Sequence, residues 1–197
     1  MSSRQLMDKT LEVLDFSLKG RDDFFLTTSF GYQSEMLFFL MAELGLKPKC
    51  LYVRSHLALE GVNDQMEYLL SKYDVDLTTV DRNEWLETEM EGLSFMELPD
   101  LKRRYICKQL KRAPLLEYIK NKSCKIWLSG IRRDQTSSRS ETKFMSVTDL
   151  SVIKLSPLFS WSKSEVKSFI SNNQLRVNSR YFDFCKVNEN KECGLHV

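Results

Sequence analysis

The stretch DDFFLTTSFGYQSEMLFFLMAEL (22–44) decides how this chain is read. Its first part, DDFFLTTS (22–29), is a short apolar and β-favouring run, the pattern of a buried strand. Its last part, GYQSEMLFFLMAEL (31–44), is a helix apolar almost all round, as an interior element is. Between them TTSFGYQS (27–34) leaves a strand and enters a helix through small hydroxyl residues and Gly31. Backbone N–H groups and a helix N-terminus placed in this way suit an anion, although the segment alone reads equally as a turn without ligand.

The same alternation extends in both directions. Residues 4–19 form a helix with Leu6, Met7, Leu11, Leu14 and Leu18 at helical spacing. KCLYVR (49–54) is a second strand, followed by a helix around 60–72 and a third strand, VDLTTV (75–80). Residues 83–122 are helical, with breaks expected at Pro99 and again before Pro114. KIWLSG (125–130) is a fourth strand running into a polar loop at 131–142. KFMSVT (143–148) and VIKLSPL (152–158) are shorter strands, and SWSKSEVKSFISNN (160–173) is a last helix capped by Ser160 or Ser162.

Strand–helix alternation predicts an α/β fold, a mostly parallel sheet with helices on both faces. Ligands of such sheets bind beyond the carboxyl ends of the strands, which sets 29–34, 54–57 and 130–139 along one rim. The expected organisation is a nucleotide-binding α/β domain over 1–177 and a polar, mobile C-terminal tail over 178–197.

Composition narrows the function classes. With 42% apolar and 28% charged residues the chain is an ordinary globular protein, and it has no apolar run long enough for a membrane span. A net charge of +2 is too small to argue for nucleic acid or a membrane surface. The first residues, MSSRQLMDKTLEVLDF, are an acid-bearing amphipathic helix, unlike an export or transit leader. The five cysteines, Cys50, Cys107, Cys124, Cys185 and Cys193, are scattered without a Cys-x-x-Cys pair, so zinc spacings are absent. Reduced thiols and a cytoplasmic location are the expectation.

Positive charge is concentrated locally. In SGIRRDQTSSR (129–139), Arg132, Arg133 and Arg139, with Gln135, Ser137 and Ser138, offer many donors to phosphate or sulfate oxygens. The planar guanidinium pairs two oxygens at once, and the loop's acids are too few to neutralise three arginines. Lys111 and Arg112, just before Pro114, add charge from a neighbouring helix. At the other end, KECGLHV (191–197) places a cysteine and one of two histidines on the last residues.

The loop TTSFGYQS resembles the Ser-Gly-Gly-x-Asp-Ser loop of ATP pyrophosphatases, with Ser29 and Ser34 at its two serines. Phe30 and Gln33 replace the second residue and the aspartate, which removes a magnesium contact and weakens an ATP-cleaving reading. Together with CKQLKRAPL (107–115), SGIRRDQTSSR, SPLFSWSKSEV (156–166) and above all ECGLH (192–196), it makes the chain resemble the phosphoadenylyl-sulfate (PAPS) reductases, or sulfonucleotide reductases. The resemblance runs from about residue 8 to the end and implies an adenine nucleotide alpha-hydrolase-like fold of the PP-loop type. It also implies a catalytic Cys193 and a substrate site built from Ser29, Phe30, Gly31, Gln33, Ser34, Lys111, Arg132, Arg133, Gln135, Ser138, Arg139 and His196.

The implied chemistry explains a cysteine on a mobile arm. Cys193 attacks the sulfur of a sulfonucleotide, and thioredoxin or glutaredoxin then releases sulfite from the resulting S-sulfonate. Family members that use adenylyl sulfate (APS) typically carry a [4Fe–4S] cluster on a Cys-Cys pair and a later Cys-x-x-Cys. Ile106-Cys107 supplies one cysteine of that pair and no later Cys-x-x-Cys exists, so no cluster and no metal are expected. Gln33, where APS users tend to carry an acid, can donate to a ribose 3′-phosphate, which favours PAPS. Departures are RSHLALE (54–60), where the family has an Asp-Thr-Gly type stretch, and a short tail with Arg176 and Arg180 as the nearest stand-ins for substrate arginines. Open alternatives are an APS user without a cluster, an ATP-dependent nucleotidyl or sulfur transferase, and a non-catalytic nucleotide-binding relative. A homodimer is compatible with the sequence, which does not fix the oligomeric state.

Overall fold

The computed structural model describes residues 3–59, 61–135, 139–148 and 151–183. In chain order the elements are α1 (Ser3–Leu18), β1 (Phe24–Thr28), α2 (Ser34–Glu43), β2 (Lys49–Arg54), β3 (Ala58–Leu59), α3 (Val62–Lys72), β4 (Asp76–Asp81) and α4 (Asn83–Met90). They continue with α5 (Asp100–Lys122), β5 (Ile126–Leu128), β6 (Met145–Val147), β7 (Ile153–Leu155), α6 (Lys163–Asn172) and β8 (Phe182–Asp183). Single 3₁₀ turns lie at Phe95–Glu97 and Arg133–Gln135.

Six strands form one sheet in the order β4-β2-β1-β5-β7-β6. All neighbours pair parallel except β6 with β7, so five carboxyl ends share one edge, the predicted ligand rim. Alternation along each strand sends side chains to two faces. Phe24, Leu26, Cys50, Tyr52, Ile126, Leu128 and Leu155 pack under α1, α2, α3 and α6. Phe25, Leu51 and Trp127 point the other way and meet Leu115 and Tyr118 of α5. Helices therefore cover both faces, as the alternation predicts. Helix α6 starts at a capping box in which Ser162 Oγ accepts from the Glu165 N–H and Glu165 Oε2 accepts from the Ser162 N–H, selecting Ser162 over Ser160.

Two expectations are corrected. The helix expected to break before Pro114 runs unbroken from Asp100 to Lys122, with Pro114 buried inside it. Proline removes one N–H and crowds the preceding turn, yet packing holds both halves. Ile106, Cys107 and Leu110 pack in one cluster with Leu57 and Leu86, while Leu115 and Tyr118 pack on the sheet. Helix α2 begins at Ser34 rather than Gly31, because 31–34 closes a turn from the Ser34 N–H to the Gly31 carbonyl. Over 178–183, the described part of the segment expected as a tail, β8 pairs antiparallel with β3 (Ala58↔Asp183, Leu59↔Phe182), and Asn178 Nδ2 donates to the Phe30 carbonyl at 3.5 Å. Gly61, at φ 68° before α3, sits where a Cβ would lie 2.8 Å from Asn178 Oδ1, so this anchor requires glycine there.

Candidate active site at the carboxyl ends of the strands

Two loops meet at the rim, one after β1 and one after β5. In the first, Thr28 Oγ1 accepts from the Phe30 N–H at 3.0 Å and donates to Ser34 Oγ at 3.1 Å, closing the loop on itself. Phe30 is held at φ 50°, a left-handed conformation that costs a β-carbon residue about 1–3 kcal/mol. Its ring offsets this by burying completely, 5.0 Å from Tyr52 and 6.4 Å from Phe38. Phe30, expected at the substrate site, thus turns its ring into the core, and its N–H is held by Thr28. Ser29 and Gly31 remain on the rim, and the N-cap residue Gln33 leaves the start of α2 without a side-chain cap.

Gln33 instead spans the gap between the loops. Its Nε2 donates to the Gly130 carbonyl and its Oε1 accepts from Arg132 Nη1. Gly130 also lets Leu37 of α2 pack close, since a Cβ there would lie 2.9 Å from Leu37 Cδ1. Gln33 is thus a bracket, with its amide committed on both sides.

The arginine loop divides into supports and exposed charge. Arg132 is 7% exposed; its Nε donates to Asp134 Oδ1 at 2.9 Å and its N–H to Gln135 Oε1 at 2.8 Å. Asp134 Oδ2 in turn accepts from the Lys163 N–H at the start of α6. Asp134, the acid within this loop, is thus committed to Arg132. Arg133 is exposed, packs its guanidinium 5.2 Å from the Phe159 ring, and forms no ion pair with a described carboxylate. Arg139 is half-buried and donates from Nη1 to Gln135 Oε1 at 2.8 Å. Gln135 therefore holds the loop together, its Oε1 accepting from the Arg132 backbone and from Arg139. Lys111 is half-buried on α5. Ser138, His196, Cys185 and Cys193 lie outside the described residues.

Arg54 and His56, from the departing stretch 54–60, stand at the rim beside Arg82, which carried no sequence signal. Arg54 and Arg82 end adjacent strands, joined by the bond from the Arg82 N–H to the Arg54 carbonyl. Arg82 stacks its guanidinium 4.3 Å from the Trp85 ring while its buried Nε has no partner among the described residues. His56 is exposed, its N–H donating to Asn83 Oδ1 at 2.7 Å. Strand-end position was the available clue to Arg82. Behind the rim, the buried Glu35 carboxylate accepts from Tyr68 and Tyr73 hydroxyls (both 3.1 Å), Lys72 Nζ (2.7 Å) and the Arg176 N–H (2.5 Å), fixing where the chain returns toward β8.

An open parallel sheet with anion-directed loops at one rim defines the adenine nucleotide alpha-hydrolase-like class of the PP-loop type, and solved structures agree on that fold. A phosphoadenylyl-sulfate reductase from Candida auris in a phosphate complex superimposes with TM-score 0.70 at 19% identity, covering 89% of this chain and 87% of that one. An NH3-dependent NAD synthetase from Campylobacter jejuni does so with TM-score 0.65 at 13% identity, covering 89% and 75%. The chain belongs to the phosphoadenosine phosphosulfate reductase domain family, whose profile matches residues 23–186. A curated relative, the adenosine 5′-phosphosulfate reductase of Salinibacter ruber, is 26% identical over 163 residues, 81% of this chain. The chain spans 63% of that relative's length.

Proposed function

We propose that the protein reduces a sulfonucleotide to sulfite, with PAPS as the preferred substrate, Cys193 as nucleophile, and thioredoxin or glutaredoxin as reductant. The observation that carries this reading is the Gln33 bracket, which holds the anion-directed loop after β1 against the arginine loop at one rim. Ser29, Gly31 and the start of α2 then face the nucleotide together with Arg133 and Arg139, and membership of the family supplies the reaction class.

In the first step the Cys193 thiolate attacks the sulfur of the phosphosulfate. A bond forms between the two sulfur atoms, the bond from sulfur to the bridging oxygen breaks, and the adenosine phosphate leaves with that oxygen. A carrier thiolate then attacks Cys193 Sγ and expels sulfite as the leaving group. The carrier's second thiol resolves the mixed disulfide, so the carrier supplies both electrons and is itself oxidised to a disulfide. Nearby cations favour the thiolate that the first step requires. Burial, by contrast, pushes the Cys50 and Cys124 thiols up, which suits them to packing rather than attack.

The reaction is proposed to need no iron–sulfur cluster. Cys107 lies in the α4–α5 cluster, Cys124 under α5 on the sheet and Cys50 on the opposite face, so these three thiols pack in separate parts of the core. Beside Cys107 a fully buried Ile106 occupies the position of a second ligand. Cluster ligation takes four converging thiolates, and the separation of the three described ones supports this reading.

A second reading, APS as substrate, is favoured by the name of the Salinibacter relative. Sulfite release from purified protein with PAPS and with APS, each with and without reduced thioredoxin, decides between them. Faster turnover of APS would replace the substrate assignment, and no sulfite from either would remove the reductase reading.

A further inference from the structure

The rim has a basic corner where β2 and β4 end, apart from the two loops that Gln33 joins. Arg54 closes β2 in register with Asp81 of β4, and its carbonyl accepts from the Arg82 N–H at 3.0 Å. Two further bonds fix this corner. Asp81 Oδ1 accepts from the Asn83 N–H at 2.9 Å, and Asn83 Oδ1 accepts from the His56 N–H at 2.7 Å, which ties the turn after β2 to the start of α4. Asp81, the acid of the corner, is thus engaged with backbone. Neither Arg54 nor Arg82 makes an ion pair or a side-chain hydrogen bond with a described residue.

The two arginines are presented differently. Arg54 is exposed, whereas Arg82 is half-buried, its guanidinium 4.3 Å from the Trp85 ring and its buried Nε without a partner among the described residues. Stacking on an indole holds the planar fork in one orientation, and a buried donor without an acceptor calls for one.

The place of this corner in the sheet suits the second anion of a nucleotide. Strand β2 flanks β1 on one side and β5 flanks it on the other. With neighbouring strands about 4.8 Å apart, the ends of β2 and β5 lie roughly 10 Å from each other, with the loop after β1 between them. That is the scale of a nucleotide with anionic groups on both sides of its ribose. Gln33, the donor expected for a ribose 3′-phosphate, is engaged with Gly130 and Arg132, and a neutral amide leaves a dianion without a countercharge. Arg54 opens the stretch RSHLALE, which puts a guanidinium where the family's Asp-Thr-Gly type stretch has a carboxylate.

We propose that Arg54 and Arg82 form a phosphate subsite at the β2–β4 corner that takes the ribose 3′-phosphate and so sets the preference for PAPS over APS. This rests on the nucleotide reading above and adds to it the residues that read the 3′ position.

The test is calorimetric titration of AMP and of adenosine 3′,5′-bisphosphate into the full chain at neutral pH. The wild type should bind the bisphosphate more tightly. Arg54→Ala and Arg82→Ala should each weaken bisphosphate binding by roughly tenfold or more, the loss of a charge-assisted hydrogen bond, and leave AMP binding unchanged. Lys120→Ala, at an exposed position of α5, should change neither. Because Arg54 is exposed, its variant keeps the test open if Arg82→Ala disturbs the packing of Trp85. Equal affinity of the wild type for the two ligands, or bisphosphate binding unchanged in both variants, overturns the subsite. A loss shared equally by AMP also overturns it, since the corner would then hold the 5′ group or the nucleoside. A bisphosphate preference that depends on Arg54 in a protein that makes no sulfite would uphold the subsite and remove the reductase reading. Sulfite production with a preference indifferent to both arginines would do the reverse.

Discussion

Gln33 and Arg132 are 99 positions apart in sequence and hydrogen-bonded across the rim, Arg132 Nη1 donating to Gln33 Oε1. The same glutamine donates to the Gly130 carbonyl, so one side chain fastens the loop after β1 to the loop after β5. Loops fixed before the ligand arrives spare binding the entropy of ordering them.

Gln33→Ala should therefore weaken adenosine 3′,5′-bisphosphate binding by about 1–2 kcal/mol, the scale of one or two buried hydrogen bonds. Gln33→Glu should also bind poorly, because a carboxylate keeps Arg132 but faces the Gly130 carbonyl without a proton to donate. Calorimetric titration measures both. Wild-type affinity in Gln33→Ala would mean the loops are ordered by something else.

Behind the rim, Glu35 receives four hydrogen bonds, from Tyr68, Lys72, Tyr73 and the Arg176 backbone. Burial pulls the Lys72 pKa down, but the bond to Glu35 prevails and holds it above the usual lysine range. Lys72 keeps 38% of its side chain exposed, so losing its buried partner strands the ammonium only in part, and Glu35→Ala should cost about 2–3 kcal/mol in urea unfolding. The loss should shrink in a Lys72→Met background, where no ammonium is stranded. Equal losses in the two backgrounds would show that the carboxylate acts through the tyrosines and Arg176 alone.

Lys154 gives a pH-dependent prediction whose sign follows from its lowered pKa. The folded state disfavours the charged amine, so the penalty is complete below about pH 8 and fades as pH rises toward the unfolded value of 10.5. That difference corresponds to an upper limit of about 3 kcal/mol. Lys154→Met should thus stabilise the ligand-free protein by about 1–3 kcal/mol at pH 7 and give little or no gain near pH 10. Urea unfolding at the two pH values checks this. A gain that does not change with pH would place the Lys154 amine in water.

What was legible in the sequence is what local periodicity encodes. The strand–loop–helix of 22–44 and the strand at 49–54 stand where the pattern puts them, and with them the rim. The β3–β8 ladder has only two residues on each side, too short for any period to register. Pro114 reads as a break because local sterics say so, and only packing on both sides of it says otherwise. The same holds at the site. Arginine-rich composition marks the loop, but it does not separate Arg132, turned inward to Asp134 and Gln33, from Arg133, turned outward beside Phe159. Phe30 is a related case: its place in the loop is legible, whereas the turn of its ring into the apolar core is not. Lys154, one polar residue in the apolar run VIKLSPL, gave no motif at all.

The last prediction concerns the residue on which the proposed chemistry turns. Cys193→Ser should abolish sulfite formation and leave nucleotide affinity nearly unchanged, because binding comes from the rim and the tail contributes the nucleophile. A serine hydroxyl is a far weaker nucleophile than a thiolate near neutral pH, and it leaves no sulfur for a carrier dithiol to attack. Substrate without reductant should add one sulfonate mass to the peptide bearing Cys193 in the wild type, and removal of residues 192–197 should match the point change. Cys107, buried within α5, and Cys50, with its thiol raised by burial, should stay unmodified. Turnover retained in Cys193→Ser, or a sulfonate found on Cys107 or Cys185, would place the nucleophile elsewhere and remove the tail from the mechanism.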